Sequence, residues 1–169
     1  GNRKGIRAQV KAVDSLNFSA YVGDARVNGI TMAAFFPGGA TVRGSGAIAP
    51  IVEGDKLTGK EFGMEISFRS GSGQGFPGSL MGVVSLLRQT LHDAQRQSQL
   101  ANPTKDADLD ALVPLLKGQQ PAVVFADTDV EILRALRLGE EFGFKVIIAS
   151  GREGQKRAEQ LAKAKIPVL

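Results

Sequence analysis

The stretch Pro121-Ala-Val-Val-Phe-Ala-Asp-Thr-Asp-Val-Glu-Ile-Leu-Arg-Ala-Leu-Arg-Leu-Gly-Glu-Glu-Phe-Gly-Phe-Lys-Val-Ile-Ile-Ala-Ser150 sets an apolar strand, an amphipathic helix and a second apolar strand end to end. Ala122–Phe125 and Lys145–Ile148 are too short and too β-branched for helices. Neither alternates, which suits parallel strands covered on both faces. Between them Asp127, Thr128 and Asp129 offer N-cap oxygens, Ile132, Leu133, Leu136 and Phe142 form a helical stripe, and Gly143 ends it. A helix over Glu153–Ala164 and a third strand over Ile166–Leu169 repeat the step. The fold class expected is α/β, with mostly parallel strands and helices packed outside them.

The same rhythm can be followed upstream. Ile6–Val13 is a mixed segment compatible with a short strand, and Asp14 or Ser15 can cap a helix running to about Val27 and closed by Gly29. Ile30–Phe36 reads as a buried strand, broken by Pro37-Gly38-Gly39. Ala47–Val52 is a short apolar stretch with strand character weakened by Pro50, and Met64–Phe68 alternates like a half-covered strand. Four Gly and one Pro between Ser70 and Gly78 predict a flexible loop at 70–78. Leu80, Val83, Val84, Leu87, Leu91 and Ala94 predict a long helix from Ser79 to about Leu100, stopped by Asn102-Pro103, and a second helix spans about Asp106–Leu116. With 169 residues the chain is read as one α/β domain over 1–169 or a piece of a larger barrel.

Composition narrows the classes of function. An apolar share of 43% with 22% charged residues is that of a globular protein, and no run of about 18 apolar residues offers a membrane span. The absence of Cys excludes disulfides, thiolate metal sites and a Cys nucleophile. The net charge is +4, but the basic residues are spread out. Those at Arg152, Lys156, Arg157, Lys163 and Lys165 fall on the outer face of a predicted helix. Without a dense basic run or an aromatic stacking platform, no nucleic-acid partner is expected.

Few residues carry chemistry. Pro37–Gly46 follows a strand, where glycine-freed N–H groups can ring an anion, so Gly38, Gly39, Gly44 and Ser45 are candidate ligand contacts. The loop lacks a Gly-Lys-Ser/Thr ending and leads into no helix, which favours a glycine-built turn over a nucleotide site. Asp127 and Thr128 follow the carboxyl end of a strand, where α/β sheets place ligand-binding groups, although capping accounts for at least one of the acidic or hydroxyl residues there. His92 is the single histidine, and its neighbour Asp93 does not face it on a helix. One histidine and no cysteine leave no ordinary zinc centre, so no catalytic residue and no metal ligand is assigned.

Asn28–Met32, Phe36–Gly39, Gly44–Ala47, Met81–Ala94, Leu109–Gly118 and Gln160–Val168, taken in order, resemble the amidohydrolase superfamily, nearest to imidazolonepropionase-like proteins. The resemblance implies part of a TIM-type (β/α) barrel, and in an intact member a divalent metal such as zinc that assists hydrolysis of C–N bonds. The family's early HxH pair is absent, and Ala126 and Ser150-Gly151 stand where ligand histidines can follow the strands. A complete barrel needs about 250 residues, so the chain is expected to be a trimmed or truncated part of one. The expected function is an amidohydrolase-like domain without metal ligands, inactive alone and part of or derived from a metal-dependent hydrolase. The alternative is a small α/β ligand- or anion-binding domain. Open edges and uncovered faces of a partial barrel predict self-association or closure by the remaining barrel segments.

Overall fold

A computed structural model describes residues 4–16, 25, 27–51, 59–69 and 77–169. Five strands form one sheet in sequence order: β1 (Met32–Phe35), β2 (Val42–Pro50), β3 (Lys60–Ser67), β4 (Ala122–Ala126) and β5 (Val146–Ser150). The pairs β1–β2 and β2–β3 are antiparallel, and β3–β4 and β4–β5 are parallel. Four strands therefore run the same way, and β2 alone opposes them. Beyond β5 the chain end adds a further parallel bridge, Ile148 to Val168. Here the Ile148 N–H donates to the Pro167 carbonyl at 2.9 Å and the Leu169 N–H to the Ile148 carbonyl at 2.9 Å. The expected α/β class, mostly parallel strands with outer helices, is what the chain forms.

Helices α1 (Leu80–Gln99) and α2 (Ala107–Leu116) connect β3 to β4, and α3 (Asp129–Phe142) connects β4 to β5. Crossovers of this kind are required because parallel neighbours cannot be joined by a tight hairpin. Each helix starts where the sequence supplies a cap. Ser79 accepts from the Gly82 N–H at 3.2 Å, and Asp106 from the Asp108 and Leu109 N–H groups at 3.1 and 3.2 Å. Thr128 and Glu131 form a reciprocal capping box on α3, whose end turns at left-handed Gly143 (φ 75°). Buried residues of these helices, among them Leu87, Leu112 and Ile132, meet Met64, Ile66, Val124 and Ile148 of the sheet in one core. Val123 and Val124 are both fully buried, as strands covered on two faces require.

Several expectations are corrected. The glycine-rich stretch after Gly39 is mostly strand, with Gly44, Ser45 and Gly46 inside β2. These glycines permit close approach. Gly44 has φ 112° and a Cβ there would run into the Val10 carbonyl, while one at Gly46 would run into the Phe36 ring. The Ile30–Phe36 segment is the sheet's first strand rather than a buried one, with Met32 57% exposed. Met64–Phe68 is not half-covered but buried throughout, since β3 lies between β2 and β4. The last predicted helix divides into a 3₁₀ turn, Gly154–Arg157, and α4 (Ala158–Lys163). Ile6 and Lys11 make isolated parallel bridges to β2, and Ala12–Ser15 forms a 3₁₀ turn. Most of the helix expected from Asp14 to Val27 and of the loop expected at 70–78 lies outside the described residues. The closing turn at Gly29 is seen, with the Ile30 N–H on the Ala25 carbonyl at 3.0 Å.

The two classes of glycine can be separated by substitution. Gly44→Ala is expected to lower stability in urea denaturation by about 1–3 kcal/mol, the usual cost of forcing atoms into filled space. Gly38→Ala, where an added Cβ meets nothing within 4 Å, is expected to change it by less than about 0.5 kcal/mol. Equal effects at both positions would refute the packing role assigned to Gly44.

Candidate functional site

The carboxyl ends of β3, β4 and β5 lie on one rim, because parallel register sets Ser67 beside Phe125 and Ala126 beside Ser150. The turn into β2 shares this rim, with the Ser67 N–H donating to the Thr41 carbonyl at 2.8 Å. One residue past β4, Asp127 receives side chains from both neighbouring strand ends. Its Oδ2 accepts from Arg69 Nη2 at 2.8 Å and Arg152 Nη2 at 3.0 Å. Its Oδ1 accepts from Arg152 Nε at 3.3 Å and from the Ser150 hydroxyl. Two guanidinium groups and a hydroxyl thus converge on one carboxylate.

Backbone contacts fix this arrangement. The Asp127 N–H donates to Glu131 Oε2 at 2.9 Å, which ties the residue to the capping box, and its carbonyl accepts from the Glu153 N–H at 2.9 Å. The Gly151 N–H donates to the Ala126 carbonyl at 3.0 Å. Ser150 is left-handed at φ 77°, a conformation uncommon outside glycine, and Gly151 follows at φ 55°. That backward turn brings the Ser150 hydroxyl to Asp127. Behind it, Asp129 accepts from Arg157 Nη2 at 2.9 Å and donates its N–H to Glu153 Oε2 at 3.0 Å, and Lys156 holds Glu153 at 2.7 Å.

Hydrogen bonds from Arg152 and Ser150, with the positive charges of Arg152 and Arg69, hold the Asp127 carboxyl well below the usual carboxylate range. It is an anion at any ordinary pH. The side chains of Arg69 and Arg152 are 72% and 74% exposed, whereas that of Asp127 is 19% exposed. A second charged pair lies within the sheet, where Arg43 Nη1 meets Glu65 Oε1 at 2.5 Å. Glu65 is 1% exposed and its other oxygen has no hydrogen-bond partner among the described residues. Burial pushes its carboxyl up, against the opposing pull of Arg43. Near the rim, Phe36 contacts Phe62 and Phe125 at centroid distances of 6.3 and 6.0 Å, and Phe125 is 38% exposed.

The structure brings some sequence candidates together and leaves others apart. Asp127 and Thr128 are adjacent on the rim, Asp127 at the centre of the network and Thr128 as the α3 cap. Gly38 and Gly39 precede β2 at the same end of the sheet, whereas Gly44 and Ser45 lie within the strand, where the Ser45 N–H donates to the Val10 carbonyl at 2.9 Å. His92 packs on Phe142 at the far end of α3, with ring centroids 4.8 Å apart. A helix of this length puts it about 20 Å from the rim. Arg152 does not lie on an outer helix face, as its sequence setting suggests, but in the turn after β5, exposed and aimed at Asp127. The sequence singles out neither Arg69 nor Glu65, and it marks Ser150 only as standing where a ligand histidine can follow the strand. Of these, Ser150-Gly151 at the end of an apolar strand was the signal available, and the pairing of residues 58 positions apart had none.

These donors do not suit zinc. Among the described residues no group of three or more His, Cys, Asp or Glu is placed to hold a metal. The carboxylate nearest the expected ligand positions already binds two arginines. Ala126 contributes a carbonyl engaged by Gly151, and Ser150 donates to Asp127.

No family model matches this sequence, and no curated protein matches it. Among solved structures, an amidohydrolase from Thermotoga maritima MSB8 matches with a TM-score of 0.86 at 23% identity. The match covers 99% of this chain and 49% of that one, so the chain spans about half of its structural neighbour. At that identity the likeness is one of fold. It establishes the curled half-barrel sheet with its helices.

The sign of the Asp127 effect is testable. A carboxyl depressed in the folded state contributes stability above its ordinary unfolded value, about 4, that is lost as pH falls below it. Asp127→Asn is therefore expected to melt below the parent at pH 7, with the gap closing as pH falls toward 3 in calorimetric scans. A gap constant across that range would rule out the anionic network.

Proposed function

We propose that this chain is an amidohydrolase-like half-barrel whose rim lacks the family's metal centre, and that it serves as a binding or scaffold domain rather than as a hydrolase by itself. The observation that carries this reading is the occupancy of Asp127 by Arg69, Arg152 and Ser150. A metal at this rim would have to displace both guanidinium groups. The fold likeness supports descent from, or membership in, a metal-dependent C–N hydrolase, with the imidazolonepropionase-like group as the nearest relative implied by the sequence motifs. The parent's activity would then depend on ligands from outside Gly1–Leu169.

The test combines metal analysis with turnover. After incubation with zinc, manganese or cobalt and desalting, the protein is expected to retain substoichiometric metal and to leave N-acyl amino acids and cyclic amides intact. Stoichiometric metal together with metal-dependent hydrolysis would overturn the proposal.

The half-barrel also needs closure. Exposed Phe125 at the rim, Met32 on β1, and Val168 and Leu169 beside β5 are apolar groups that a further barrel segment or a second copy would cover. Light scattering is expected to give a mass above that of one 17.8 kDa chain. A strictly monomeric mass at high concentration would exclude closure by a second copy.

A second reading follows from the exposure of Arg69 and Arg152. Guanidinium groups open to solvent at a strand-end rim can take a bidentate carboxylate or phosphate. Gly38, Gly39 and Thr128 lie at the same end of the sheet.

A further inference from the structure

Away from the rim network, a cavity of about 330 Å³ opens between α1 and α3. Its apolar floor is formed by Phe68, Val84, Leu87 and Leu138. Three arginines, Arg88, Arg134 and Arg137, also line it, and among the described residues no acidic one does. Their positions follow from helical spacing. Met81, Val84, Ser85 and Arg88 share one stripe of α1, and Arg134, Arg137 and Leu138 share one stripe of α3. Below the cavity the helices are tied together, with Arg88 Nε and Nη2 on Glu141 Oε2 at 2.9 and 2.7 Å and His92 packed on Phe142. Arg88 is thereby neutralised. Among the described residues no carboxylate holds Arg134 or Arg137.

We propose that this cavity binds a small amphiphilic carboxylate, its apolar tail on the floor between the helices and its head on Arg134 and Arg137. The volume lies at the lower end of the range for small-molecule sites, about 300–1,000 Å³, and is small for a folded partner's interface. The apolar floor supplies burial, and the unpaired guanidinium groups supply charge-assisted hydrogen bonds that a neutral tail cannot use. Met81 is 81% exposed at the mouth, where a flexible thioether can close over a tail.

The probes are octanoate and octanol, added to the full chain and followed by calorimetry and by amide chemical shifts. Octanoate is expected to bind roughly tenfold more tightly than octanol, the margin of a charge-assisted contact, and to shift Leu80–Arg88 and Arg134–Leu138. Arg134→Gln/Arg137→Gln is expected to remove that margin while octanol binding persists. Met81→Glu alters a solvent-exposed side chain and so leaves the fold intact, and it is expected to weaken octanoate selectively. Absence of octanoate binding, equal affinity for the two probes, or shifts confined to other elements would each overturn the proposal.

Discussion

The parallel register of β3, β4 and β5 is the constraint on which the rest depends. It sets Ser67 opposite Phe125 and Ala126 opposite Ser150, so the residues just past the strands, Arg69, Asp127 and Arg152, meet at one rim. A slip of one residue would turn every side chain of the slipped strand to the other face. It would move Val124 and Ile148 out of the core beneath the helices and separate Asp127 from Ser150. Burial of the apolar run and assembly of the polar network are therefore one choice of register.

Electrostatics then gives the rim its character. Strand ends of this kind are where α/β folds gather groups for catalysis, and a lone carboxylate there could serve as a ligand or a base. Here Asp127 is spent on cross-linking three strand ends. Its depressed proton affinity makes it a poor base, and its oxygens are already taken by donors. Glu65, the other conspicuous carboxylate, is buried against Arg43 inside the sheet. Both acids stand beside cations of this chain, Asp127 beside Arg69 and Arg152 and Glu65 beside Arg43. The likeness in fold to half of an amidohydrolase says nothing by itself of the groups at the strand ends, because a barrel's core and its rim answer to different constraints.

What could be read from sequence was what is local. Ala122–Phe125, the N-cap candidates Asp127, Thr128 and Asp129, the Ile132 stripe and Gly143 each act over a few residues, and the β4–α3–β5 unit formed with nearly the expected limits. Ser79 and Asp106 likewise marked the starts of α1 and α2. What could not be read depends on neighbours far along the chain. Glycine at 44 and 46 looked like a loop because the Val10 carbonyl and Phe36 ring that demand it are not adjacent in sequence. The exposure of β1 follows from its place at one side of the sheet, which a run of apolar residues does not disclose. Asp127 was found by its position after a strand, but its partners were not, since Arg69 arrives from another strand and Arg152 through the left-handed turn at Ser150.

The most direct measurement is a crystal structure grown with excess zinc. The account predicts Asp127 between Arg69 and Arg152, with Ser150 on Oδ1 and no zinc density at the ends of β3, β4 and β5. Zinc coordinated by Asp127, with the two guanidinium groups displaced into solvent, would contradict it.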